Sequence, residues 1–248
     1  MKKIIAMALI AILTLTGMAL AETLKMGTNA AFPPYEYYDD ETDAIVGIDA
    51  EIAAAVCTEL GCDLEIVDME FGSIIPAVTT GKVDFGMAGM TVTEERLQSV
   101  DFSESYATGI QSVIVPTGSP ITCVDDLFAE GSSWKVGVQE GTTGDIYCSG
   151  DLEEAGLASV QRFKTGTDAV LALTSGKLDC VVIDNQPAKK YVEANEGLVI
   201  LDTEYAVEDY AACLAKDSEL TAKFNEALKA LIEDGTVQTI IDKYISAD

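Results

Sequence analysis

The chain repeats itself, and the repeat restricts the folds open to it. Residues 75–89, IPAVTTGKVDFGMAG, match residues 170–184, VLALTSGKLDCVVID, at a constant offset of 95. Thr79, Gly81, Lys82 and Asp84 meet Thr174, Gly176, Lys177 and Asp179. Upstream, LKMGTN from Leu24 matches WKVGVQ from Trp134 at an offset of 110. Each copy reads as strand, helix, Gly-Lys turn and strand. Units this far apart predict two similar α/β lobes, not a solenoid, whose periods are shorter.

The spacing of apolar residues fills in the elements. Strands are predicted over residues 23–28, 64–67 and 83–88, with helices over 49–60 and 73–80 closed by Gly61 and Gly81. This alternation predicts a parallel sheet covered by helices. The second lobe reads as strands over 109–115, 135–139, 178–184 and 198–201, with helices after GTTGD and over 168–175 and 187–195. Residues 205–214 return to the first lobe, which amphipathic helices over 218–234 and 236–244 complete. The expected division is residues 22–106 with 211–248 for lobe one and 107–210 for lobe two. Two crossings without a long linker imply a hinge.

Lys2 and Lys3 precede an apolar run from Ile4 to Leu15, and Ala19-Leu20-Ala21 offers a small-residue cleavage site. Residues 1–21 therefore read as a secretory signal, and the mature chain as a soluble exported protein. LTGM, residues 15–18, resembles a lipoprotein box with Met18 where the acylated cysteine would stand, so no lipid anchor is expected. Removing two lysines with the signal takes the formal charge from −27 to −29. Such a surface repels nucleic acid and anionic membranes. The sequence has no histidine, which excludes Ser-His and Cys-His nucleophiles and histidine metal ligands. No metal or other cofactor is expected. Of the six cysteines, Cys57 and Cys62 straddle a helix end and could form a local bridge. Cys123, Cys148, Cys180 and Cys213 cannot be paired from sequence, and at least one free buried thiol is expected in each lobe.

One stretch concentrates the chemistry. FGMAGMTVTEER, residues 85–96, reads as a strand that opens at Gly89 and enters a helix near Thr91, with Arg96 on its first turns. Thr91-x-x-Glu94 would be its capping box. The chain holds only two arginines, Arg96 and Arg162, against 42 Asp plus Glu. A scarce guanidinium beside a glycine opening and a helix start suits a carboxylate, which guanidinium grips in bidentate fashion. In open α/β sheets ligands sit at the carboxyl ends of strands. That rule collects Asn29, Phe32, Phe71, Gly89, Thr91 and Arg96 from lobe one, and Gln139, Thr142, Thr143 and Asp184 from lobe two. A fixed cation facing a strand-end carboxylate would hold a zwitterion. Each residue has a plainer alternative: Arg96 pairing with Glu94, Glu95 or Asp101, Asp184, Thr142 and Thr143 capping helices, the phenylalanines filling the core.

The motifs NAAFPPYEYY, GIDAEIAAAV, SIIPAVTTGKVD, AGMTVTEER, VDFSESY, VGVQEGTTGD and LDCVVIDNQPA come in an order and spacing that resemble the polar amino-acid-binding proteins of bacterial ABC uptake systems. The resemblance covers essentially the whole mature chain. It implies the type II periplasmic-binding-protein fold, two Rossmann-like lobes with a two-crossing hinge. It further implies a monomeric, non-enzymatic receptor that passes an L-amino acid to membrane permease subunits. In similar proteins the positions matching Gly89, Thr91, Arg96 and Thr143 hold the α-carboxylate, and that matching Asp184 holds the ammonium. Those matching Phe32 and Phe71 sandwich the side chain, and those matching Asn29 and Gln139 read its tip. Relatives that bind basic amino acids often carry aspartate at the position of Asn29. The neutral amide here favours a polar uncharged ligand such as glutamine or cystine. The alternatives are an arginine or lysine receptor, towards which the acidic surface argues, and a dehydratase on the same scaffold.

Overall fold

A computed structural model describes residues 22–245, so the expected signal segment lies outside the described residues. The chain opens with β1 (Thr23–Thr28), the short strands β2 (Ala31–Phe32), β3 (Glu36–Tyr38) and β4 (Ile45–Val46), and α1 (Ile48–Leu60). The strand β5 (Asp63–Asp68), the helix α2 (Ile74–Thr79) and the strands β6 (Phe85–Gly86) and β7 (Val100–Phe102) follow. The second unit contains β8 (Ala107–Pro116), β9 (Trp134–Gln139), α3 (Thr143–Tyr147), β10 (Ala158–Phe163), α4 (Gly166–Thr174), β11 (Cys180–Asp184), α5 (Asn185–Ala194), β12 (Leu198–Ile200) and β13 (Ala206–Tyr210). The chain then rejoins the first unit with β14 (Cys213–Ala215), α6 (Glu219–Glu233) and α7 (Thr236–Tyr244).

Two sheets result. The first runs β5-β1-β6-β14-β7 and the second β10-β9-β11-β8-β12, with β13 also pairing on β8. The chain passes between them twice, after β7 and after β13. Neither sheet is purely parallel, contrary to the expectation. β14 lies antiparallel to β6 and β7, and β8 lies antiparallel to β11, β12 and β13. The reversed strands flank the crossings, where the chain enters or leaves a lobe without a βαβ connection.

The repeat proves to be a structural device. Lys25 N–H donates to Asp84 Oδ2 at 2.7 Å while Asp84 N–H donates to the Lys25 carbonyl at 2.8 Å. In the second lobe Lys135 N–H donates to Asp179 Oδ2 at 2.8 Å and Asp179 N–H donates back to the Lys135 carbonyl at 2.9 Å. The aspartate after each Gly-Lys turn thus ties the start of a central strand to the strand before it. The two turns match: Gly81 and Gly176 have φ of 69° and 73°, the left-handed region that glycine enters without cost.

One apolar core runs through both lobes, from Ile48, Ile52 and Phe224 under the first sheet to Ile114, Val181 and Ile183 in the second. Smaller cores lie under α2 and around Val136, Val138 and Leu152.

Three expectations need correction. The strand over 83–88 contracts to Phe85–Gly86. No α-helix starts at Thr91: Thr91 forms a β-bridge with Tyr210, Val92 N–H donates to the Asp209 carbonyl at 3.1 Å, and Arg96–Gln98 is a single 3₁₀ turn. Thr91, Val92 and Thr93 are poor helix formers, and pairing with the returning chain outcompetes a capping box. Finally, Cys57 and Cys62 form no bridge. The turn at Gly61 brings both Cys62 N–H (3.0 Å) and Sγ (3.4 Å) onto the Cys57 carbonyl, so the Cys62 thiol bonds the helix end and stays reduced. Burial pushes the Cys57 thiol up to about 12. Free buried thiols occur in both lobes, at Cys57 and Cys213 and at Cys148 and Cys180.

Candidate functional site

All ten singled-out residues line one cavity between the lobes: Asn29, Phe32, Phe71, Gly89, Thr91, Arg96, Gln139, Thr142, Thr143 and Asp184. Glu36 and Ala88 complete its wall. The strand ends deliver them. Asn29 follows β1, Gln139 ends β9, Asp184 ends β11, and Thr142 and Thr143 begin α3. Gly89 has φ of 52°, and a Cβ there would stand 2.9 Å from Phe32 Cε1, so glycine keeps this wall open and the ring seated.

Arg96 is buried, although it is charged. One guanidinium N–H donates to the Thr91 carbonyl at 2.7 Å, and another reaches the second lobe, donating to the Gly141 carbonyl at 3.0 Å. The Phe71 ring lies below it, 5.3 Å from guanidinium carbon to centroid. Its described hydrogen bonds go to these carbonyls, so the plain surface ion pair does not form. Burial lowers its pKa from the ordinary value, but an arginine remains cationic. The positive end of a helix that the sequence suggested here is absent, so the charge at this end of the cavity is that of the side chain.

Asp184 reaches the same cavity from the second lobe, at the end of β11. Its Oδ2 accepts from Gln111 Nε2 at 2.8 Å and its Oδ1 accepts from the Tyr210 hydroxyl. It precedes α5 but makes no capping bond with its side chain, which removes the plain reading. Burial, with the Glu208 charge second, holds its carboxyl well above the usual range. Such a group gains from an incoming ammonium.

Thr142 does cap α3, accepting from Asp145 N–H at 3.4 Å, while its own hydroxyl donates to the Gln139 carbonyl at 2.8 Å. Phe32 and Phe71 belong to the apolar cores and to the cavity wall at once. Asn29 and Gln139 bond each other: Gln139 Nε2 donates to Asn29 Oδ1 at 2.8 Å, and Asn29 Nδ2 donates to the Met69 carbonyl at 2.9 Å.

Sequence reasoning missed four buried polar residues. Glu36 lies in the wall, fully buried; no protein N–H reaches its oxygens, and its side-chain partner is the Asp49 carboxyl. Burial, with the Asp49 charge second, pushes Glu36 well above the ordinary range. Asp49 sits behind Gly89, its Oδ2 accepting from Gly89 N–H and from the Tyr106 hydroxyl, both at 2.8 Å. Burial raises it to about 6. Gln111 and Glu208 hold the cavity's hydroxyls and Asp184 from the paired strands β8 and β13. One signal was available: Asp49 falls on the buried stripe of α1 between Ile48 and Ile52. Glu36 and Glu208 are masked by the acidic runs around them.

The cavity therefore joins a buried cation from one lobe, a buried carboxyl from the other, aromatic sides and a second buried acid, Glu36. These groups suit recognition of a small molecule that carries both a carboxylate and an ammonium.

Residues 24–247 match the family model for bacterial extracellular solute-binding proteins, family 3. The chain is 34% identical over 228 residues to the arginine-binding extracellular protein ArtP of Bacillus subtilis (strain 168), covering 91% of this chain and 87% of that one. Among solved structures, an ancestral arginine-binding protein bound to arginine superposes with a TM-score of 0.84 at 38% identity, over 92% of this chain and 100% of that one. The ancestral protein bound to glutamine gives a TM-score of 0.83 at 38% identity, over 91% and 98% of the two chains.

Proposed function

The chain belongs to family 3 of the bacterial extracellular solute-binding proteins, and from that premise we propose that it captures one L-amino acid between its lobes and delivers it to the permease of an ABC uptake system. Arg96 takes the α-carboxylate, with Gly89, Thr91 and Thr143 beside it, and Asp184 takes the α-ammonium. Phe32 and Phe71 flank the side chain. The lobes, residues 22–106 with 211–248 and residues 107–210, close on the ligand by bending at the two crossings. The protein works as a monomer outside the cytoplasmic membrane once residues 1–21 are removed.

The ligand's tip follows from a count of charge. A zwitterion pairs with Arg96 and Asp184 and leaves Glu36, the other buried acid of the wall, backed by Asp49 and with no protein N–H on its oxygens. A guanidinium or ammonium tip supplies N–H donors to Glu36 and a charge beside which this acid can ionise. Asn29, on which the expectation of an uncharged tip rested, has both ends of its amide bonded already. We therefore favour a basic amino acid, arginine first. Glutamine, whose amide also donates, binds more weakly. Prephenate and arogenate, the small acids that test the dehydratase alternative, should be recovered unchanged.

A thermal-shift panel of the standard amino acids tests this reading. Arginine at a thousandfold excess over its dissociation constant should raise unfolding stability by about 4 kcal/mol. The absence of a shift with every amino acid would overturn it.

A further inference from the structure

The hydroxyls of Thr91 and Thr143 face the cavity beside Arg96, one from each lobe, and each owns a single proton. Thr91 Oγ lies 3.1 Å and Thr143 Oγ 2.9 Å from Glu208 Oε2. The two hydroxyls are 3.5 Å from each other, a longer and weaker contact. A carboxylate only accepts, so both hydroxyl protons point at Glu208. The same oxygen accepts from Gln111 Nε2 at 3.1 Å, and Gln111 also donates to Asp184. Glu208 is buried on β13, outside the cavity wall, with its second oxygen unpartnered.

We propose that Glu208 is an affinity-setting residue: an internal carboxylate that competes with the α-carboxylate of the bound amino acid for the hydroxyl protons of Thr91 and Thr143. This rests on the amino-acid-binding reading of the cavity. While Glu208 holds both protons, the hydroxyls present lone pairs to the cavity, and an incoming carboxylate meets acceptors. To bind, the ligand must draw the protons off Glu208, leaving that buried acid with Gln111 and the Tyr147 hydroxyl as its donors. The competing acid tempers affinity, which suits a carrier that has to release its cargo.

The test compares Glu208→Gln with the unaltered protein by calorimetric titration with L-arginine and with L-argininamide, which lacks the carboxylate. Glu208→Gln removes the competing charge and supplies N–H donors of its own. It should bind L-arginine at least fivefold more tightly, with little gain for L-argininamide. Glu208→Asp, whose carboxylate is drawn back by one methylene, should shift affinity in the same direction and guards against a folding defect in the first variant. Weaker or unchanged arginine binding in folded variants would overturn the proposal, because it would make Glu208 a support for the hydroxyls. So would an equal gain for both ligands. If the unaltered protein binds no amino acid, the functional reading itself fails and the proposal falls with it.

Discussion

Gln139 donates a side-chain N–H to Asn29 Oδ1 at 2.8 Å, joining the end of β9 in one lobe to the residue after β1 in the other. Both groups are buried, so the bond forms only when the lobes meet, and it adds to the free energy of closure. Gln139→Ala should weaken ligand binding about fivefold, the equivalent of about 1 kcal/mol. The ranking of amino acids should stay the same, since both Gln139 Nε2 protons go to Asn29 Oδ1 and the Lys164 carbonyl and not to the ligand. Calorimetric titration of the variant measures both. A changed ranking would mean that Gln139 reads the tip.

The paired clamps at Asp84 and Asp179 should behave alike. Asp84→Ala and Asp179→Ala each remove an acceptor from a strand N–H, and each should cost about 1 kcal/mol of stability. The sites lie in different lobes and share no partner, so the double variant should lose the sum. Urea midpoints measure this. A large loss from one and none from the other would contradict the equivalence of the two repeats.

These clamps also show how far the sequence could be read. The match of Gly-Lys-x-Asp at offset 95 located both central strands and both turns, because the same local physics recurs twice. Strand-end placement then brought ten separate residues to one cavity. What escaped was set by partners distant in the chain. Thr91 is held by Tyr210 and Glu208, which nothing in TVTEER signals, so the helix expected there does not form. Glu36 stands in a run of surface-like acids and tyrosines, and only its burial marks it out. β8 reads as an ordinary apolar strand, and its antiparallel partners follow from the crossings.

Stability should fall as pH rises from about 4 to about 7. Burial raises Asp49 from 3.8 to about 6, so the folded protein binds more protons than the unfolded chain between those values. Asp49's contribution is fully present below the unfolded value and is lost as pH climbs through the folded one, a change of about 3 kcal/mol. Glu36 and Asp184 act in the same sense. Surface acids whose pKa is lowered, such as Asp101 held by Lys216, act in the opposite sense below the ordinary carboxylate value, outside this window. Melting temperature against pH for the unaltered protein and Asp49→Asn, which removes one titration, measures the effect. A midpoint that rises through the window would contradict it.

Arg96→Ala should weaken every amino-acid ligand by at least about a hundredfold, whatever its side chain, because the lost partner is common to all of them. Arg96→Lys should recover part of that loss, since it keeps the charge without the fork. Thermal shifts across the panel measure both. A loss confined to basic ligands would move Arg96 from the carboxylate end of the site to the tip.

The most direct test is a crystal structure with the tightest-binding amino acid. The account predicts the α-carboxylate on the Arg96 guanidinium and the α-ammonium on Asp184, each at about 2.7–3.1 Å. It also predicts the side chain between Phe32 and Phe71 with its tip towards Glu36. A ligand lying in the reverse sense, or held outside this cavity, would contradict it.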